Sequence, residues 1–167
     1  LRPMETVHKK GIAGRISSSG PPPRPGTLGF TLVKLATAAN TLVYRLTKGR
    51  VAGSMDGAPV LLLHHVGVRT GTTRVAPLLY MRDGDDYVIV ASYGGAKANP
   101  AWFHNLMASP RTTIEVGGRT IAVDAARADA ADRERLWPRM VAIWPAYGDY
   151  QARTEREIPI VRLTPDA

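Results

Sequence analysis

Between residues 28 and 48, apolar side chains recur at three- and four-residue steps (Leu32, Leu35, Ala39, Leu42, Val43, Leu46), while Lys34, Arg45 and Lys48 interrupt the stripe at its edges. That spacing predicts one amphipathic helix. Its basic residues leave no apolar run of about 18 residues, which argues against a transmembrane span. The helix reads equally as an interfacial membrane helix and as a cap on the domain behind it. Beyond Gly49 to Gly57 the pattern becomes strand-like. Pro59–Val66 is a continuous apolar strand, Arg74–Met81 a second, and Asp83-Gly84-Asp85-Asp86 a tight turn into a third, Tyr87–Ser92. Asn99 as cap and Pro100 at the first position predict a short helix to about Ala108. A hairpin follows, Arg111–Val116 and Arg119–Arg127 around Gly117-Gly118. Asp129 begins a helix through Trp137, Pro138 should kink or restart it, Pro145 should stop it near Trp144, and Ile158–Leu163 is the last strand. Six strands with helices between pairs predict a closed antiparallel barrel with flanking helices, in the α+β class.

Composition sets bounds on this picture. A chain of 167 residues is one domain's length, and 44% hydrophobic content suffices for a core. Residues 1–27, with Ser17-Ser18-Ser19-Gly20-Pro21-Pro22-Pro23, read as a disordered arm, 28–48 as the helix and 49–167 as the barrel domain. Met4 is a candidate alternative translation start. No apolar run of signal-peptide type follows the charged start, so a cytoplasmic location is expected. Cysteine is absent, which excludes disulfides and thiolate metal sites. His8, His64, His65 and His104 lack metal-binding spacing, and His64-His65 point to opposite faces of a strand. Charge is uneven: residues 1–50 hold nine of the 22 basic residues but one of the 14 acids, leaving 13 of each in the remainder. A basic arm on a neutral body points to an anionic surface such as lipid headgroups.

The candidate chemistry lies in Gly67-Val68-Arg69-Thr70-Gly71-Thr72-Thr73-Arg74-Val75-Ala76-Pro77-Leu78 and in Ala91-Ser92-Tyr93-Gly94-Gly95 with Asn99-Pro100-Ala101-Trp102. Gly and Thr let backbone N–H groups and hydroxyls approach a phosphate, and Arg69 and Arg74 supply forks for its oxygens. A solvated hairpin turn is the plainer reading of the loop taken alone. Neither G-x-G-x-x-G nor G-x-x-x-x-G-K-[ST] is present. Trp144, Tyr147 and Tyr150 stand at three-residue steps, which on a helix would put all three on one side as a core stripe; Pro145 and Gly148 favour instead a loop whose aromatics cover an open pocket.

Gly67 to Pro77, Tyr87 to Trp102 and Trp144 to Pro159 together resemble the deazaflavin-dependent nitroreductase family of actinobacteria, split-barrel proteins that bind coenzyme F(420). The resemblance runs from about Ala36 to Pro165. It implies a six-stranded antiparallel split β-barrel and hydride transfer from reduced deazaflavin to a quinone, nitroaromatic or conjugated enone. It also implies that Arg69, Thr70, Gly71 and Arg74 bind the coenzyme phosphate, that Pro77 and Leu78 lie along its ring, and that Ala91, Ser92, Tyr93, Gly94, Gly95 and Trp102 complete the site. Tyr147, Tyr150 and Ser92 are the implied catalytic residues, with Tyr147 as first choice to stabilise or protonate the reduced acceptor. The chain departs from a well-known member at Val68, Leu79, Tyr93 and Trp144, on the pocket wall.

Three rival readings are kept. Split barrels also hold FMN, the alternative cofactor. A nonenzymatic basic binding module is disfavoured by the neutral body, and no nucleic-acid partner is expected. A serine hydrolase at Ser92 lacks G-x-S-x-G.

Overall fold

The computed structural model describes residues 27–49 and 53–166. The expected arm and Met4 lie outside that range, Thr27 apart. In chain order the elements are α1 (Leu28–Leu46), β1 (Ser54–Met55), β2 (Ala58–Val66), β3 (Thr73–Asp83), β4 (Asp86–Val90), a 3₁₀ turn (Tyr93–Gly95), α2 (Ala101–Ala108), β5 (Arg111–Val116), β6 (Arg119–Arg127), α3 (Ala130–Ile143), α4 (Ala146–Ala152) and β7 (Ile160–Pro165). The sheet order is β1-β2-β3-β4-β7-β6-β5. Pairing of β2 with β5, at Leu62↔Glu115 and Leu63↔Ile114, closes β2 to β7 into a six-stranded antiparallel barrel, and β1 is a two-residue addition to β2.

The apolar run in β2 is continuous because both of its faces are covered. Leu61 and Leu63 point into the barrel with Ile89, Ile114, Val161 and Leu163. Val60 lies outside with Leu79, Val88 and Ile160 beneath Leu136 and Met140 of α3 and Tyr147 of α4. Leu62 packs with Val75 against Tyr44 of α1. Trp102, Phe103 and Leu106 of α2 join the interior cluster.

The local readings need four corrections. Asn99 does not cap α2: Pro100 occupies that position without a side-chain bond, and Asn99 Oδ1 accepts instead from Arg156 Nη1 at 2.7 Å. α3 runs unbroken through Pro138, since burial of Leu136 and Met140 on either side outweighs the missing N–H, a cost of about 3 kcal/mol in an isolated helix. Its start is as expected, with Asp129 Oδ1 accepting from Asp132 N at 2.8 Å. The segment 146–152 is a helix, not a loop lid, and Pro145 is its cap. Finally, the stripe that marks α1 as amphipathic is not its docking face. Leu35, Leu42 and Leu46 are exposed, and the anchor is Tyr44, 1% exposed, whose hydroxyl donates to Glu115 O (3.1 Å) and accepts from Gly117 N (3.2 Å). α1 ends in a left-handed turn at Lys48 and Gly49, and the Gly49 N–H reaches back to Tyr44 O.

Candidate active site

A cavity of about 810 Å³ opens between α1 and one end of the barrel. α1 contributes Thr37, Ala38, Thr41, Leu42 and Arg45; β2 contributes His65 and β3 Arg74, Val75 and Leu78. Val90, Ser92 and Tyr93 line it after β4, as do Pro100, Ala101 and Trp102 at the start of α2. Five of the residues expected at the site therefore meet here: Arg74, Leu78, Ser92, Tyr93 and Trp102.

The others lie outside this wall. Arg69, Thr70 and Gly71 sit on the exposed 67–72 turn, whose amides are largely occupied. Gly67 N pairs with Thr72 O, Thr70 N and Gly71 N with Gly67 O, Val68 N with Asn105 Oδ1, and Thr72 N with Thr70 Oγ1. A Cβ on Gly67 would stand 2.5 Å from Thr70 Oγ1, so a side chain there would displace the hydroxyl that accepts from Thr72 N. The turn thus offers side chains rather than an empty nest of N–H groups. Pro77 shares the β3 face of Val75, opposite Arg74 and Leu78, but is not part of the cavity wall. Ala91 is buried among the interior residues.

Gly94 and Gly95 serve the turn itself. Tyr93, Gly94 and Gly95 all have positive φ, and a Cβ on Gly95 would come within 2.6 Å of Tyr150 O, so α4 closes directly on this backbone. A tyrosine held at φ 48° carries strain that the surroundings must impose. They do so through Arg156. Its guanidinium donates to the carbonyls of Ala91 (3.3 Å), Ser92 (2.8 Å) and Ala96 (2.8 Å) and to Asn99 Oδ1. Burial lowers its pKa below the usual arginine range. One side chain therefore braces the whole segment that carries Ser92 and Tyr93 to the cavity.

Tyr147 and Tyr150 stand behind that segment, not over the cavity. Tyr147 is 5% exposed, edge-on to Tyr150 and tilted against Trp137 in the outer core, and burial raises its phenol pKa well above the ordinary value.

The sequence reading missed His65, Arg45, Val90 and the small side chains of α1. A signal for His65 was available: a hairpin closed at Gly67–Thr72 puts His65 directly across from Arg74. Arg45 is committed to Glu115, Nη2 to Oε1 at 2.6 Å, and Glu115 also meets His64 Nε2 at 2.7 Å. Among the described residues no carboxylate lies within ion-pair range of Arg74, which makes it the cavity cation open to an outside anion. No His, Asp and Glu cluster able to hold a metal occurs among the described residues.

A family model described as F420H(2)-dependent quinone reductase matches residues 37–165. The chain belongs to that family. It is 43% identical over 142 residues to an F420H(2)-dependent quinone reductase of Mycobacterium tuberculosis, covering 82% of this chain and 92% of that one. The solved structure of an F420-H2 dependent reductase superposes with TM-score 0.58 at 30% identity, over 63% of this chain and 93% of its own. A domain-swapped dimer gives TM-score 0.59 at 25% identity, over 79% and 98%. The chain is thus a split-barrel oxidoreductase of a family dependent on coenzyme F(420), whose reaction is quinone reduction. The cavity suits that coenzyme chemically: the Arg74 guanidinium matches a phosphate, and Val75, Leu78, Val90 and Trp102 offer apolar surface to a flat ring.

Proposed function

We propose that this cavity is where reduced coenzyme F(420) and its acceptor meet. What supports the reading is the combination, around one space of about 810 Å³, of an arginine with no ion-pair partner among the described residues, an apolar wall and two hydroxyls from Ser92 and Tyr93. When bound, the reduced coenzyme supplies a hydride, two electrons with one proton, to the acceptor. Arg74 holds the phosphate and thereby fixes the ring's position; Leu78, Val90 and Trp102 exclude water from its face. Hydride arriving at a quinone leaves negative charge on oxygen. Ser92 Oγ, with Tyr93 beside it, hydrogen-bonds that oxygen and passes it a proton drawn from solvent at the cavity mouth. Nitroaromatics and conjugated enones develop a similar anion and are further acceptors on the same grounds. Arg69 and Thr70, on the turn next to Arg74, act as an outer contact for the coenzyme's anionic tail.

Fluorescence titration with F(420) and with FMN tests the cofactor, and oxidation of the reduced coenzyme by a soluble naphthoquinone tests the reaction. Saturable F(420) binding, faster coenzyme oxidation with the quinone than without the protein, and loss of turnover in Ser92→Ala are expected. Preferential FMN binding, or full turnover in both Ser92→Ala and Tyr93→Phe, overturns the assignment.

A second reading concerns location. No helix among the described residues is long and apolar enough to cross a membrane. Yet α1 exposes Leu28, Leu35, Leu42 and Leu46 beside Arg45 and Lys48. We infer peripheral contact with an anionic bilayer through this face. Salt-sensitive binding to anionic vesicles, absent with neutral ones, is expected; equal binding to both, or to neither, removes it.

A further inference from the structure

His65 and Arg74 are directly opposed on β2 and β3, so both side chains leave the sheet on the same face, and both line the cavity. The His65 ring is almost wholly buried, and its Nδ1 lies 2.9 Å from Nδ2 of Asn105 on α2. The direction of that bond is fixed one step away. The backbone N–H of Val68 can only donate, and it donates to Asn105 Oδ1 at 3.1 Å. The amide is therefore oriented with its NH₂ toward His65, and Nδ1 must accept through its lone pair. A neutral imidazole that accepts at Nδ1 carries its proton on Nε2. Burial, then Arg74, then His64, hold the ring below the ordinary imidazole pKa, which favours the neutral form.

We propose that His65 is a recognition residue for the coenzyme's anionic group: its Nε2–H, set by the chain Val68–Asn105–His65, donates to a phosphate oxygen that Arg74 also grips. The inference rests on the coenzyme reading of the cavity and adds to it an atom and a tautomer. A neutral donor has a physical advantage here. A second cation beside Arg74 would repel it whenever no anion is present, whereas a neutral N–H supplies the hydrogen bond without that repulsion.

His65→Phe keeps an aromatic ring and removes both nitrogens. Its affinity for F(420) should fall about 10- to 100-fold, while affinity for the phosphate-free deazaflavin riboside should stay within about twofold. Equal losses for both ligands, or none for F(420), overturn the proposal. Nitrogen-15 NMR on the unmutated full chain gives a second readout that does not depend on the variant folding. A protonated Nε2 is expected in the free protein, with a resonance that moves on adding F(420) but not the riboside. The Nδ1–H tautomer, or a resonance unmoved at F(420) saturation, overturns the role of His65 alone. Failure of the unmutated protein to bind F(420) instead removes the coenzyme reading, and the inference with it.

Discussion

The α3 side of the barrel and its cavity side use arginine differently. Behind β3, β4 and β7, guanidinium groups end on carboxylates. Arg135 bridges Asp83 and Asp132, Arg139 joins Asp83, and Arg162 joins Asp86 and Asp132. At the cavity, Arg74 faces open space and Arg45 is paired with Glu115, while outside the cavity wall Arg156 is bonded to backbone carbonyls and Asn99. The first arrangement is closed within the chain and its charge is already balanced. The half-exposed pairs of Arg135 and Arg139 with Asp83 fasten α3 to β3 and contribute about 0–1 kcal/mol each, whereas Arg162 meets the buried Asp86. The second leaves Arg74, unlike Arg45 on Glu115, with no ion-pair partner among the described residues, and that charge awaits a ligand. The contrast separates function from packing better than residue type does, since both sides are rich in arginine.

The sharpest way to break the comparison is to remove one guanidinium from the cavity side. Arg74→Ala should weaken F(420) binding by about 1.5–3 kcal/mol, a loss of 10-fold or more, the range for a hydrogen bond to a charged group. The thermal midpoint should not move. Arg69→Ala, on the exposed turn outside the cavity wall, should cost less than Arg74→Ala in the same titration. If Arg69 proves the more important, the coenzyme phosphate sits on the turn and not beside His65.

The converse variant is Arg162→Met. Asp86 is buried and accepts from Arg162 Nε at 3.0 Å and Nη2 at 2.5 Å, so the substitution strands a carboxylate. Urea unfolding should show a stability loss of about 2 kcal/mol, below the full cost of a buried pair because Arg162 is partly exposed. F(420) affinity should be unchanged. A large change in affinity with no change in stability would erase the distinction between the two sides.

Acid sharpens the same distinction more gently. Arg135 and Arg139 hold Asp83 far below the ordinary carboxylate range; Arg135 and Arg162 lower Asp132, and Arg45 with His64 lowers Glu115. A depressed carboxylate contributes stability that is fully present above its unfolded pKa, about 4, and is lost as pH falls through the folded value. The thermal midpoint should therefore be steady at neutral pH and decline below about pH 4. Asp83→Asn should flatten that decline; an unaltered slope would mean the Asp83 pairs do not couple to folding.

Much of the barrel was legible because its strands are two-sided or sharply punctuated. β2 reads as one apolar run, the Gly117-Gly118 turn locates the β5–β6 hairpin, and both strands of that hairpin have the expected bounds. The aromatic triplet was not legible. Pro145 and Gly148 lower local helix propensity, yet Pro145 sits at the cap, where it costs nothing, and Gly148 lies against Val141 of α3. A third of the cavity wall, the part from α1, was hidden for another reason. Thr37, Thr41 and Arg45 reach it because Tyr44 docks α1 across β2 and β3, and a single buried tyrosine leaves no periodic trace. Arg156 was equally silent, since nothing local distinguishes an arginine that braces carbonyls from one in water.

The smallest expected effect falls on the residue that the sequence made most prominent. Tyr147 belongs to the closed side of the comparison: its ring packs with Val88, Leu136, Met140 and Ile158, and it is not among the residues that line the cavity. A proton donor must come within about 3 Å of the atom it serves, directly or through one water. Tyr147→Phe preserves the packed ring, so coenzyme affinity should hold and turnover with a naphthoquinone should stay within about twofold, against the 10²- to 10⁴-fold loss expected of a general acid. Steady-state kinetics with the naphthoquinone and with a nitroaromatic acceptor decide the matter. A loss of 100-fold or more with either acceptor would mean that α4 and the 3₁₀ turn rearrange in the loaded enzyme to bring this hydroxyl to the reaction. The division between a closed side and an open side would then describe the free protein alone.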